Sequence, residues 1–214
     1  MSKQISTKHK PVLLAVFAHA DDESFGPAGT IATYAKTHDI HIICVTKGDS
    51  PLNTHSGHIK DINKIRSEEL LRSSKILGVK SVYFLDYPDG GINNNMYHDI
   101  ASDVMVISDE LQPEMFLTYE HHGVSGHIDH IAVSFITTYV FEWATYAKKI
   151  LYYCISEESR SGIHDYFIHF PKGYHRDHVQ QIVDVSDVWN QKVEAIQQHK
   201  SQWGDMNPRH CTTT

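Results

Sequence analysis

The chain alternates between short apolar runs and amphipathic stretches. Residues 12–18, "VLLAVFA", run without a polar interruption, which fits a strand buried on both faces. Residues from about 27 to 37 read as a helix with Pro27 in its first turn. "IHIICVT" (40–46) is β-branched and predicts a second strand, and the polar, glycine-bearing stretch 47–58 predicts a loop. A long amphipathic helix follows over 59–77, with Ile62, Ile65, Leu70, Ile76 and Leu77 on its apolar side and Gly78 as its C-cap. Strands are predicted at 82–86, 114–120 and 149–156, and helices at 97–111 and across "HIDHIAVSFITTYVFEWATY". Residues 157–178 read as irregular and "QIVDV" (181–185) as a sixth strand. "SDVWNQKVEAIQQHKSQ" reads as one helix, with Ser186 or Asp187 as its N-cap.

Strands that alternate with helices predict βαβ units. The expected fold class is therefore α/β: a Rossmann-like, mostly parallel sheet with helices on both faces. In such sheets ligands bind at the carboxyl ends of the strands, near the point where strand order reverses. No repeat or linker divides the chain, so residues 1–214 read as one domain.

Composition narrows the classes of function. Apolar residues make up 41% of the 214 positions and charged residues 21%, enough for a packed core and against disorder. The net charge of -7 argues against nucleic acid as a partner, since phosphate binding needs a basic footprint. No apolar run approaches the roughly 20 residues of a membrane span, and the N-terminal stretch lacks a signal-peptide pattern. Cys44, Cys154 and Cys211 form no C-x-x-C motif; unpaired cysteines imply a cytoplasmic location. Seventeen histidines invite a metal hypothesis that the count alone does not decide.

Two polar clusters fall at predicted strand ends. In "AHADDE" (18–23), three adjacent carboxylates and His19 sit at the mouth of the first strand. Either Asp21 or Asp22 caps the next helix, or a cation compensates the repulsion. In "GHIDH" (126–130), His127 and His130 lie three apart at a helix start and share a face, with Asp129 able to orient an imidazole. The alternative is a histidine-rich capping loop. Together, at one sheet edge, the clusters favour a metal. His19, Asp22 and His130 supply three ligands and leave a position open for water, the pattern of a catalytic zinc site. Asp21 is placed as general base, and His127, if protonated, as the group that stabilises an oxyanion or protonates a leaving amine.

These motifs resemble the PIG-L/LmbE-like family of zinc-dependent N-deacetylases. "AHADDE" matches the family's A-H-P-D-D-E, and "GHIDH" its G-H-x-D-H. "RSEEL" (66–70), "LGV" (77–79), "FLDYPDG" (84–90) and the late "VDVSDVWNQKVEAIQQHKSQ" match in order, so the likeness runs from about residue 11 to 203. The resemblance implies an LmbE-like fold. It also implies hydrolysis of an acetyl group from an N-acetylglucosamine-type or related N-acyl amine substrate, at zinc or another divalent metal such as iron(II). By position it implies His19, Asp22 and His130 as metal ligands, Asp21 as base, His127 as acid or oxyanion stabiliser and Asp129 as the residue that orients it. Arg66 would contact substrate; the plain alternative is an ion pair with Glu69 on an exposed helix. Glu23 reads as structural, bonding backbone in the loop that presents His19. His199 and Gln202 read either as site residues or as an ordinary helix end, where the dipole favours a histidine. A homo-oligomer is left open.

The chain departs from the pattern where Ala20 and Ile128 replace prolines, which removes stiffening from the ligand loops but no ligand. The tail "GDMNPRHCTTT" and the 47–58 loop are the segments expected to set specificity. Two other classes compete: a metal-dependent esterase or phosphoesterase on the same cluster, and a non-catalytic sugar-binding module. The lack of a basic phosphate cradle counts against a phosphoesterase, and the complete ligand set against a vestigial site.

Overall fold

The structure is a computed structural model that describes residues 10–46, 48–49, 61–161 and 169–202. The tail after Gln202, Cys211 and most of the 47–58 loop lie outside the described residues. The elements in order are β1 (Val12–Phe17), α1 (Asp22–Phe25), α2 (Ala28–Ala35), β2 (Asp39–Thr46), α3 (Ile62–Leu77), β3 (Ser81–Tyr87) and α4 (Tyr97–Leu111). They continue with β4 (Met115–Tyr119), α5 (Gly123–Gly126), α6 (Ile128–Trp143), β5 (Lys149–Tyr153), α7 (Glu157–Ser161) and α8 (Trp189–Ile196).

The five strands form one parallel sheet in the order β3-β2-β1-β4-β5. Burial along the strands follows that order. β1, β2 and β4 are buried at nearly every position after the first, whereas the outer strands β3 and β5 are only half-buried. A parallel strand flanked on both sides and covered on both faces must be apolar throughout, as "VLLAVF" is. Helices α2, α3 and α8 pack on one another, and α4 and α6 pack on one another, which provides two helical layers for the two faces of the sheet. Leu13, Leu14, Ile42, Ile43, Phe116 and Leu117 are fully enclosed or nearly so at the sheet centre. Truncating one of them to alanine costs about 2–5 kcal/mol.

The chain leaves β1 for β2 and β3 on one side and returns to place β4 on β1's other side, with Ala15 opposite Leu117. Strand order therefore reverses between β1 and β4, and the two polar clusters lie just beyond those two strand ends.

Three expectations need correction. Residues 181–185 pair with no strand; Ile182 is exposed, and Val185 packs on α2. Val185 seats against the bare backbone of Gly29, where a Cβ would stand 2.6 Å from a Val185 methyl, so the end of this segment packs on a helix and not in the sheet. The late helix is broken. Residues Ser186–Val188 form a 3-10 turn, α8 ends at Ile196, and Lys200–Gln202 form another 3-10 turn. Neither Ser186 nor Asp187 caps it; Asp184 accepts the backbone N–H and the hydroxyl of Ser186. Finally, β5 stops at Tyr153, and the one-turn α7 occupies part of the stretch expected to be irregular.

Candidate active site

His19 follows β1, and the turn after it folds back on itself. The Asp22 carboxylate accepts the backbone N–H of His19 at 2.7 Å through Oδ2. Neither Asp21 nor Asp22 caps α1 with its side chain, so the acids are not there for capping. On the adjacent strand, β4 ends at Tyr119, whose hydroxyl donates to the same Asp22 oxygen at 2.5 Å and accepts the Ala18 N–H at 2.7 Å. The Tyr119 ring stacks on His130, 4.2 Å between centroids and 8° from parallel.

Glu120 shapes the turn beyond β4. Its carboxylate accepts the backbone N–H groups of His122 and Val124 and the Tyr174 hydroxyl, each at 2.8–2.9 Å. Burial would raise its pKa, but those bonds hold it below the ordinary glutamate value. Gly126 closes the turn at φ +82°, where a Cβ would meet the His169 carbonyl oxygen at 2.2 Å. His127 then caps α6, its Nδ1 accepting the Asp129 N–H at 3.1 Å.

The hydrogen bonds assign the imidazole tautomers. His130 Nδ1 lies 3.0 Å from the Gly123 carbonyl oxygen, so it carries the proton and Nε2 is bare. His19 Nε2 faces carboxylate oxygens of Asp89 at 3.1 Å and Asp129 at 3.3 Å, so Nε2 donates and Nδ1 is bare. These bare nitrogens lie 3.0 Å apart. Asp22 Oδ2 stands 3.5 Å from His19 Nδ1, and its other oxygen, Oδ1, 3.2 Å from His130 Nε2. Three acceptors thus converge on one point, and only a positive species reconciles them. A tetrahedral zinc ion with bonds of about 2.0–2.1 Å sets its ligand atoms about 3.3 Å apart. The imidazole nitrogens at 3.0 Å, with one Asp22 oxygen near each of them at 3.2–3.5 Å, have spacings close to that value, so the donor set fits such an ion.

The charges agree. Burial acts to lower the His19 pKa, yet Asp129, Asp22 and Asp89 together push it well above the ordinary imidazole value. Burial likewise acts to raise Asp22, and His130 and His19 hold it well below the carboxylate range. A proton on His19 Nδ1, directed at His130 Nε2 and the Asp22 carboxylate, supplies the positive charge these groups demand and stands where a metal ion would; with such an ion in its place both imidazole nitrogens are bare. Ligand-capable atoms also gather within 4.8 Å in two overlapping sets, His19–His127–His130 and His19–Asp89–His127–Asp129, neither of which contains Asp22. In the second set the His19 nitrogen is the donor Nε2, and the Asp129 oxygens also take the Gly90 and Ile92 N–H groups at 2.7 and 3.2 Å. That set reads as the hydrogen-bonding shell behind the first.

Asp21 lies beside the ligands, in contact with Arg66: Nη2 stands 3.4 Å from Asp21 Oδ2. Burial raises the Asp21 pKa; Arg66 works against it and Asp22 with it, leaving the group above its ordinary value. Arg66 is itself buried, and its Nη1 also reaches the Gly48 carbonyl and Asp89, both at 3.2 Å. It is not on an exposed helix face, and Glu69 instead accepts from Ser201. His127 has ring centroids 4.6 Å from His19 and 4.9 Å from His130. Burial, then the charges of those two histidines, lower its pKa to about 4. With Nδ1 accepting from Asp129, the neutral ring keeps its proton on Nε2 and is a donor there. The Asp129 carboxylate is bonded to His19, and Asp129 orients His127 through its backbone N–H.

All seven predicted residues meet in one place. Sequence reading missed Asp89 and Tyr119. Asp89 lies in the "YPDGG" turn after β3, and Tyr119 is the last residue of β4, both at the functional edge. A polar side chain at a strand's carboxyl end was the available signal. The alternative of an ordinary helix-end histidine fails for His199, which is wholly buried on Glu23. Glu23 bonds side chains, those of Ser24, Ser73 and His199, where backbone was expected.

The chain is similar to known proteins over most of its length. A relative from Mycobacterium sp. (strain KMS), 1D-myo-inositol 2-acetamido-2-deoxy-alpha-D-glucopyranoside deacetylase, is 28% identical over 230 aligned positions, covering 90% of this chain and 74% of its own length. Diacetylchitobiose deacetylase of Thermococcus kodakarensis is 27% identical, covering 89% and 70%. The solved structure of N,N'-diacetylchitobiose deacetylase from Pyrococcus horikoshii shares the fold with a TM-score of 0.67, at 23% identity over 98% of this chain and 79% of that one. The family model for GlcNAc-PI de-N-acetylase, PIG-L, matches residues 14–141, from β1 through both ligand-bearing motifs, and this chain belongs to that family.

Proposed function

We propose that this chain is a metal-dependent hydrolase that removes an acyl group, chiefly acetyl, from an N-acetylglucosamine-type or related N-acyl amine. The observation that carries the reading is the meeting of two bare imidazole nitrogens and the Asp22 carboxylate at 3.0–3.5 Å, beside Asp21. The relatives' names supply the substrate class. Zinc is the metal proposed, held by His19, Asp22 and His130. When bound it supplies Lewis acidity and lowers the pKa of water toward about 7.

Each remaining role belongs to the chain's own groups. Asp21, beside which the Arg66 guanidinium offsets part of the cost of burying the carboxylate, accepts the proton of the attacking water. His127 Nε2–H donates a hydrogen bond to the oxyanion that forms, and the developing negative charge raises its proton affinity. As the C–N bond breaks, Asp21 returns the proton it took from water to the leaving nitrogen, which departs as the amine, the carboxylic acid being the other product and Asp21 regaining its charge. Asp129 and Asp89 hold His19, Tyr119 holds Asp22, and Arg66 fixes Asp21. In this reading Arg66 acts on substrate through the base.

The proposal treats the chain as one domain, because residues from α1 through the 3-10 turn at Lys200–Gln202 meet around the site. Cys44 and Cys154 are free, in keeping with the proposed cytoplasmic location. No helix among the described residues is long and apolar enough to cross a membrane.

Metal content and amine release on one preparation test the reading. Elemental analysis is paired with N-acetylglucosamine, chitooligosaccharides and N-acetylglucosaminyl-inositol as substrates, with and without chelator. The expected result is one equivalent of metal and chelator-sensitive release of free amine. Bound metal with ester cleavage and no amide cleavage would transfer the site to the esterase reading. Absence of metal after reconstitution would overturn the assignment.

A further inference from the structure

After α8 the chain turns inward. His199 and Glu23, 176 positions apart in sequence, are both fully buried, and His199 Nε2 lies 2.8 Å from Glu23 Oε1. The same oxygen accepts the hydroxyls of Ser24 at 2.7 Å and Ser73 at 2.5 Å. Two residues on, Ser201 donates its backbone N–H at 2.9 Å and its hydroxyl at 2.6 Å to the buried Glu69 of α3. Gln202 in turn donates to the Ser201 hydroxyl.

Burying two carboxylates is costly, and apolar residues of similar volume would serve packing better. The pair is also incompletely bonded: Glu23 Oε2 and His199 Nδ1 find no hydrogen-bond partner among the described residues. A bond kept only for stability would not be built this way. Its position offers another reason. Glu23 is the neighbour of Asp22 and two residues from Asp21; Glu69 is one turn along α3 from Arg66. The acids therefore anchor the two backbones that carry the Asp21–Arg66 contact. α1 is a single turn without a side-chain cap, too short to hold its own shape. Whatever grips Glu23 sets where Asp21 and Asp22 stand.

We propose that residues 199–202 are a positioning strap, His199 acting through Glu23 and Ser201 through Glu69, that sets metal affinity and the alignment of the base. The inference rests on the metal reading above. It gives positioning work to residues that touch neither metal nor substrate.

The test uses the full chain and cobalt(II) as probe, with affinity from chelator competition and the visible cobalt spectrum as a report on ligand geometry. Circular dichroism checks the fold. His199→Ala is expected to stay folded and to bind cobalt roughly 10- to 100-fold more weakly, with a shifted spectrum. His199→Gln, which restores a donor to Glu23, is expected to recover most of that loss. A folded His199→Ala with wild-type affinity and spectrum would overturn the strap. If His199→Ala does not fold, Ser73→Ala decides: it removes one donor from Glu23 and is expected to weaken cobalt binding by a smaller factor. Unchanged affinity and spectrum there would overturn the strap. A wild-type chain that binds no cobalt would overturn the metal reading and the strap with it, whereas wild-type binding with insensitive variants overturns the strap alone.

Discussion

At the scale of single residues, the site works because each imidazole has one nitrogen committed elsewhere. His130 gives its Nδ1 proton to Gly123, His19 its Nε2 proton to Asp89 and Asp129, and His127 accepts from Asp129. In the proposed mechanism that leaves two nitrogens for the metal and one donor for the substrate. Asp21 is different: its contact is Arg66, so it is free of the ligand set. Asp21→Asn is therefore expected to keep its metal and lose turnover by roughly 100- to 10,000-fold, the range of a general base. Metal analysis and kinetics on the same sample check this, and normal turnover would remove Asp21 from that role. His130→Ala is expected to lose both metal and activity; full zinc stoichiometry in that variant would take His130 out of the ligand set.

At the scale of elements, the turn between β4 and α6 determines where His127 and His130 begin, and Glu120 holds that turn. Its folded-state pKa is depressed, because burial is outweighed by the N–H groups of His122 and Val124, with Tyr174 and His122 adding to them. A depressed carboxylate contributes stability that is present above its unfolded pKa, about 4.3, and lost as pH falls through the folded value. Glu120→Gln is expected to lower stability at pH 7 by about 1.5–3 kcal/mol, the range for hydrogen bonds to a charged group. That corresponds to a fall in melting temperature of several degrees at this size. The gap should narrow as pH drops below about 4. Thermal melts of both proteins at pH 7 and pH 3.5 check this, and an equal gap at both pH values would show that the charge on Glu120 is not what holds the turn.

At the scale of the whole molecule, the proposed metal position draws its ligands from the turns after β1 and β4, with Asp89 after β3 and residues 199–202 behind them. An ion that binds only the assembled arrangement must stabilise all of it. At a free zinc concentration 100 times the dissociation constant, the gain is about 2.7 kcal/mol. A rise of several degrees in melting temperature is expected, absent in His130→Ala, and calorimetry with and without metal checks it. Much of this molecule was legible in the chain itself. The apolar runs announced five parallel strands because central strands in such sheets are buried on both faces. Helix 97–111 and the Gly78 cap, at φ +79°, were readable because their signals are local. The two histidine-aspartate motifs marked the residues proposed as ligands because they are contiguous in sequence. What failed was non-local. Residues 181–185 have the composition of a strand, yet Val185 at their end packs on a helix at Gly29, and the break after Ile196 exists to turn His199 inward. Asp89, Tyr119 and the partners of Arg66 and Glu23 come from separate parts of the chain, and no periodicity records which neighbours they will have. The sequence determined which chemistry the chain can carry and at which strand ends. The tertiary structure decided which nitrogen of His19, His127 and His130 faces each partner and which acid meets Arg66, because those depend on contacts that exist only once β1 and β4 lie side by side.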